Sequence, residues 1–291
     1  MGQLRPLAES CLGSGTPWIP QLLISGIVHQ ASARNTNFIV QKFYRTIYNR
    51  LEQIMLISDA DLERVRQVVP EHPGLSVMGD TRFDSVIERQ EQLDPPQWPE
   101  GFGRGTLFVA GSTWPRDEEC IYPVLRKALE QTPELQLVLV PHEPTEEHLL
   151  HAETFFRDIP MVRWKNRDQA PPGLRIVLID TIGLLAGLYR GADIAYVGAG
   201  FTTGVHNTME PASMGLPVLF GPRYDNALEA KEMIELGCAF SIDSTESFES
   251  RFLSLLQNTE LTRKLGAQAQ QFVESQVHAS EQCLPAILGN L

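Results

Sequence analysis

The strongest constraint on this chain is a rhythm in which short apolar runs alternate with amphipathic stretches along most of its length. The runs QLLISGI (21–27), IMLIS (54–58), LSVMG (75–79), TLFVAGS (106–112), LQLVLV (135–140), RIVLID (175–180), DIAYVGA (193–199) and PVLFG (217–221) have strand length. Several are apolar at every position rather than at alternate ones, as parallel strands covered on both faces are. Helical spacing fills the gaps, most clearly at 38–51, 59–69, 117–131, 145–157, 225–236 and 259–277. Repeated strand–helix units of this kind predict an α/β fold on parallel sheets.

The stretch IERQEQLDPPQWPEGFGRG (87–105) is polar, carries three prolines and three glycines, and reads as a linker. About five strands follow it, enough for one doubly wound domain, and about three precede it, few for an open sheet. The organisation expected is an incomplete N-terminal Rossmann-like domain (1–88), a linker (89–105) and a C-terminal domain (106–291). The last helix of that second domain is expected to pack back on the N-terminal part.

Composition narrows the function. A formal net charge of −12 gives no overall basic field for nucleic acid, so an anionic ligand must be held by local cations and helix N-termini. Cys11, Cys120, Cys238 and Cys283 form no CxxC pair, which argues against zinc and a disulfide framework and suits a reducing cytoplasm. No run of 18 apolar residues is present, and the first residues lack the pattern of a signal peptide.

Ligands of parallel α/β domains sit at the carboxyl ends of strands. Those ends present Gly111, Ser112 and Thr113; Pro141 and His142; Asp180, Thr181, Ile182 and Gly183; and the loop GAGFTTGVHNTMEP. Gly111, Ser112 and Thr113 read first as a turn with a helix cap, since Ser and Thr are good caps. The loop's glycines, Gly198, Gly200 and Gly204, do not have GxGxxG spacing, and no Walker A motif is present. His148 and His151 fall on one polar helix face and read as solvated rather than as metal ligands.

In HNTMEPASMG (206–215), Asn207 and Glu210 have the spacing of a capping box. Pro211 argues for a cap at Thr208 instead, because the missing proline N–H then falls in the third helical position, where it costs little. Glu210 is thereby released and can accept bonds from vicinal ribose hydroxyls while first-turn amides draw a phosphate. Arg82, in GDTRFDSV (79–86), is either a surface cation paired with Asp80 or Asp84 or a guanidinium for a phosphate leaving group.

Taken in order, GDTRFDSV (79–86), AGST (110–113), VPHE (140–143), DTIGLLAGLYRGADIAYVGAGF (180–201), HNTMEPASMGLPVLFGP (206–222) and NALEAKEMIELG (226–237) resemble the 3-deoxy-D-manno-octulosonic acid (Kdo) transferases of lipid A biosynthesis. The resemblance implies a GT-B glycosyltransferase, with two Rossmann-like domains facing across a cleft and the N-terminal one incomplete. It implies CMP-Kdo as donor, lipid IVA as acceptor, a metal-independent inverting reaction without a cofactor, and peripheral association with the cytoplasmic face of the bacterial inner membrane.

By motif position, CMP would be contacted by Pro141, His142, Ile182, Gly183, Leu184, Asn207, Thr208, Met209 and Glu210, with Ser112, Thr113, Arg223 and Asn226 as neighbours. Arg82 would stabilise the transition state. Many members have Arg where His142 stands and Glu where Leu184 stands, so Leu184 can offer only its backbone. The family's glycine–glutamate motif, which carries the catalytic base, has no counterpart before Ser25, and Glu9 lacks its context. The chain is therefore expected to lack the base, at a cost of about 10²–10⁴-fold in transfer. The alternatives are another GT-B activity, of the UDP-GlcNAc type, and a catalytically silent nucleotide-binding chain.

Overall fold

The computed structural model describes residues 20–28 and 37–289, so Glu9 and Cys11 lie outside the described residues. The chain divides into two units, Met1–Ser85 with Gln276–Leu291, and Val86–Ser275.

Among the described residues, the first unit holds three parallel strands, β1 (Leu22–Gly26), β2 (Gln53–Leu56) and β3 (Leu75–Val77), in that order. Helices α1 (Phe38–Tyr48) and α2 (Asp59–Val68) follow the first two. Tyr48, Ile54, Leu56, Val65 and Val68 form the core between them. Helix α3 (Thr81–Gln92) begins here, and its Asp84 carboxylate accepts the backbone N–H groups of His278 (2.8 Å) and Ser280 (3.3 Å). Asp84 therefore caps the chain's last helix, whose Ala279 and Cys283 pack on Met55 and Met78.

The second unit holds seven parallel strands: β4 (Leu107–Thr113), β5 (Gln136–Pro141), β6 (Met161–Arg163), β7 (Ile176–Leu178), β8 (Ile194–Val197), β9 (Val218–Phe220) and β10 (Ala239–Ser241). Their order is β10-β9-β8-β4-β5-β7-β6. Helices α4 (Pro115–Gln131), α5 (Glu146–Phe155), α6 (Leu185–Leu188), α7 (Met209–Ser213), α8 (Leu228–Leu236), α9 (Thr245–Leu256) and α10 (Thr259–Ser275) connect and cover them. The last helix of the chain, in the first unit, is α11 (Ala279–Leu288).

Both faces of this sheet are buried. Phe108, Leu137, Leu139, Tyr196, Phe248 and Phe252 fill one side, and Val109, Val138, Val177, Leu188 and Tyr189 the other. Such two-sided burial is why the strands are apolar throughout.

Two sequence expectations change. Strands β6 and β10 were not foreseen, since MVR and AFS are too short to register as apolar runs, and the sheet has seven strands rather than about five. Nor is 89–105 a free linker. Residues 89–92 end α3, and Trp98 and Phe102 pack against the core of the second unit. Gly103 donates to Gln136 Oε1 at 2.7 Å. The stretch is a strap, held by two aromatic rings that the prolines and glycines had masked.

Candidate functional site

The winding of the second sheet reverses at β4, which pairs with β5 on one side and β8 on the other. A crevice outside the carboxyl ends of strands forms at such a switch point. The register aligns those ends, with Gly111 opposite Val140 and Val197, Val197 opposite Phe220, and Leu139 opposite Leu178. The loops after β4, β5, β7, β8 and β9 therefore leave from one rim.

The backbone at this rim is tightly folded. Ser112 sits in the left-handed region (φ 53°) at a bulge of β4, and a Cβ at Gly198 would lie 2.1 Å from the Ser112 carbonyl oxygen. Only glycine permits that approach. Gly111 is equally constrained, for a Cβ there would meet the Tyr189 hydroxyl at 2.2 Å. Neither Ser112 nor Thr113 caps α4, as one reading of the sequence had it. The cap position is Trp114, with Pro115 as first helical residue. The Thr113 hydroxyl instead donates to the buried Glu118 at 2.9 Å.

Asp117, which sequence reasoning missed, organises the rim. Fully buried, its carboxylate accepts from Trp114 N (2.9 Å), Ala199 N (2.9 Å) and the Tyr196 hydroxyl (2.7 Å). Burial raises its pKa, and these donors and His206 pull it down. The only local signal was an acidic residue in the first turn of a helix.

Glu210 stands where the proline argument put it. Helix α7 starts after Thr208 as cap, Pro211 occupies its third position, and no capping box forms. The Glu210 side chain keeps 19% of its surface exposed and lies 3.5 Å from Arg89 Nη1. Burial raises its pKa, opposed by Arg89 and a hydrogen bond from Asn207. Glu210 in turn raises the Tyr189 pKa, second to the effect of that ring's own burial. Glu210 and Gly111 thus both neighbour Tyr189.

The remaining candidates divide by exposure. Ile182 is 80% exposed, and Gly183 has φ 87° with open space beside it, so both present themselves to solvent. Leu184 packs against the core and can offer only backbone, while Pro141 is buried. Thr208 and Met209 are buried side chains, so any ligand contact there is through the main chain. The Thr208 hydroxyl has no partner among the described residues. The Met209 N–H is already taken by Asn207 Oδ1 at 3.0 Å, which removes one of the first-turn amides expected to face a phosphate.

Arg223 and Asn226 brace the loop before α7. Arg223 donates to the Thr202 carbonyl (2.5 Å), and Asn226 to that of Val205 (2.9 Å). His148 bonds the Glu143 carbonyl, and His151 stacks on Tyr122.

Three rings gather at the rim. His142 stacks on Trp114 (centroids 4.8 Å, 23° between planes) and on His206 (4.5 Å, 10°). Trp114 Nε1 donates to His206 Nε2 at 3.4 Å. Burial lowers the His206 pKa, as does His142, while Asp117 opposes both.

In the first unit, Arg82 Nε donates to Asp80 Oδ2 (2.8 Å), and the Arg82 backbone N–H donates to Oδ1 of the same carboxylate (2.9 Å). Pairing with Asp80, one of the two readings of the sequence, is the arrangement found.

Comparison with known proteins places these features in context. Residues 15–85 match the family of 3-deoxy-D-manno-octulosonic-acid transferases (kdotransferases), beginning upstream of the first stretch that carried the resemblance. A 3-deoxy-D-manno-octulosonic acid transferase of Chlamydophila psittaci is 26% identical over 71% of this chain and 48% of its own length. That of Chlamydia pneumoniae is 24% identical over 88% of this chain and 59% of its own. The chain spans about half the length of the curated relatives it matches.

Among solved structures, the C-terminal CMP-Kdo binding domain of WaaA from Acinetobacter baumannii aligns with TM-score 0.53 at 24% identity, over 65% of this chain and 97% of that one. A UDP-N-acetylglucosamine 2-epimerase from Listeria monocytogenes aligns with TM-score 0.62 at 14% identity, over 94% of this chain and 69% of that one. The fold is α/β of GT-B type, and the chain is a relative of the Kdo transferases.

Proposed function

We infer that this relative of the Kdo transferases binds a cytidine nucleotide at the carboxyl rim of its seven-stranded sheet, as the donor site of a glycosyltransferase. The observation that carries the reading is Glu210, a carboxylate held partly exposed at the start of α7 beside the sheet's switch point. An ionised carboxylate there accepts hydrogen bonds from two ribose hydroxyls, a recognition that costs the fold the desolvation that raises its pKa. Exposed Ile182, the open backbone of Gly183, and His142 flank the same rim and are the proposed contacts to the rest of CMP.

The proposed reaction moves Kdo from CMP-Kdo to lipid IVA with inversion and without a metal, at the cytoplasmic face of the inner membrane. An acceptor hydroxyl attacks the anomeric carbon as CMP departs, its proton passing to a carboxylate base to which no residue of this chain is assigned. Support comes from the family match over 15–85, from the Kdo transferases named above, and from the likeness to a domain described as CMP-Kdo binding. Arg82 is proposed, on the resemblance alone, to stabilise the departing phosphate.

Calorimetric titration with CMP and with UDP tests the donor reading. CMP is expected to saturate the protein, with UDP weaker by about tenfold or more, and Glu210→Gln is expected to weaken CMP by roughly 10- to 100-fold, the worth of hydrogen bonds to a charged group. No saturation by CMP, or preference for UDP, would overturn it.

A further inference from the structure

The ring cluster has a geometry that fixes which of its faces is open. Were His142 sandwiched between Trp114 and His206, the outer rings would stand about 7 Å apart, twice the ~3.5–4 Å contact distance of carbon atoms. Their ring nitrogens are 3.4 Å apart. Trp114 and His206 therefore lie side by side, edge to edge, beneath the same face of His142. Its other face belongs to an exposed residue and points away from the pair.

Each ring is anchored through its backbone. Trp114 N donates to Asp117 (2.9 Å), His142 N to the Thr113 carbonyl (2.9 Å), and His206 N to the Gly198 carbonyl (3.3 Å). The rings come from the loops after β4, β5 and β8, on both sides of the switch point.

We propose that Trp114 and His206 form a two-ring floor that presents the outer face of His142 as the stacking surface for the nucleobase of the bound nucleotide. The proposal rests on the donor-site reading above and assigns the part of the ligand that His142 meets. Trp114 and His206 are positioning residues, acting through His142.

An indole N–H only donates, so His206 Nε2 must accept, with the ring neutral and its proton on Nδ1. Protonating Nε2 sets two donors against each other and breaks the floor. The groups that face His206 are Trp114, His142 and Asp117, of which only the last favours the charged ring. Burial and His142 hold the neutral form, in keeping with the tautomer that the indole requires.

A π-face tolerates any base, so stacking here supplies affinity rather than choice of base. His142→Ala is expected to weaken CMP and UMP by the same factor, roughly tenfold or more, and His142→Phe to restore both. Trp114→Phe keeps a ring and deletes the donor. It is expected to raise the His206 pKa, followed by NMR, and to move the acid limb of CMP affinity to higher pH. In the parent, ¹⁵N shifts should report His206 as the Nδ1–H tautomer.

His142→Ala binding CMP as tightly as the parent would overturn the stacking role. A His206 titration unchanged in Trp114→Phe, or the opposite tautomer, would overturn the floor. If the parent binds neither CMP nor UMP, the donor reading falls and the stacking role with it, whereas the tautomer still decides the ring arrangement.

Discussion

The Asp117 carboxylate accepts the backbone N–H of Ala199 across 82 positions of sequence, at 2.9 Å. This bond ties the first turn of α4 to the glycine loop after β8, and two further donors reach the same side chain from Trp114 and Tyr196. Asp117→Asn keeps the shape but turns an amide N–H₂ toward N–H and O–H donors. A loss of about 2–3 kcal/mol is expected, from leaving buried donors without their charged acceptor, read as a lowered denaturation midpoint. Unchanged stability would remove Asp117 as the organiser of the rim.

Gly111 and Tyr189 form a second testable pair, since the tyrosine hydroxyl lies where a β-carbon would be, 2.2 Å away. Gly111→Ala should cost about 1–3 kcal/mol through overpacking. Adding Tyr189→Phe removes the colliding oxygen and should return part of that loss. A double variant no more stable than Gly111→Ala would show that the strain lies elsewhere.

Stability should also depend on His206 in acid. Its pKa in the folded protein lies below 6.5, the ordinary value. In that window the unfolded chain binds the proton and the folded chain does not, so stability rises with pH there. The contribution is complete above about 6.5, diminishes as pH falls through that value, and stops changing below the depressed folded value. His206→Phe should flatten this part of the profile in a pH series of thermal melts, and a slope identical to the parent's would contradict it.

Glu210 behaves oppositely. Its pKa is raised above 4.5 by burial, so folding favours the protonated acid, and stability falls as pH rises through the folded value. Glu210→Gln should therefore hold or raise the melting temperature at neutral pH while weakening CMP, the trade expected of a residue kept for binding. A variant that lost both stability and affinity would mark Glu210 as a structural residue.

Much of the architecture was legible because parallel strands buried on both faces must be apolar throughout, as β4 and β5 are. β6 and β10 were not, because three residues carry no period. Helix α9, with its serine capping box at Ser244 and Ser247, was equally overlooked among polar residues. The start of α7 could be read locally, since the missing N–H of Pro211 limits where a cap can stand. Trp114, Asp117 and His206 could not. Their partners lie 79 to 92 positions away, and only the pairing of β4 with β8 brings them together.

The central claim is that the Glu210 carboxylate holds the ribose of a cytidine nucleotide, and a cycle with CMP and 2′-deoxy-CMP on the parent and Glu210→Gln measures it directly. The account predicts that the parent loses roughly tenfold or more in affinity when the 2′-hydroxyl is removed, and that the Gln variant is nearly indifferent to it. Equal discrimination by both proteins would contradict the account, because the hydroxyl would then be recognised by something other than this carboxylate.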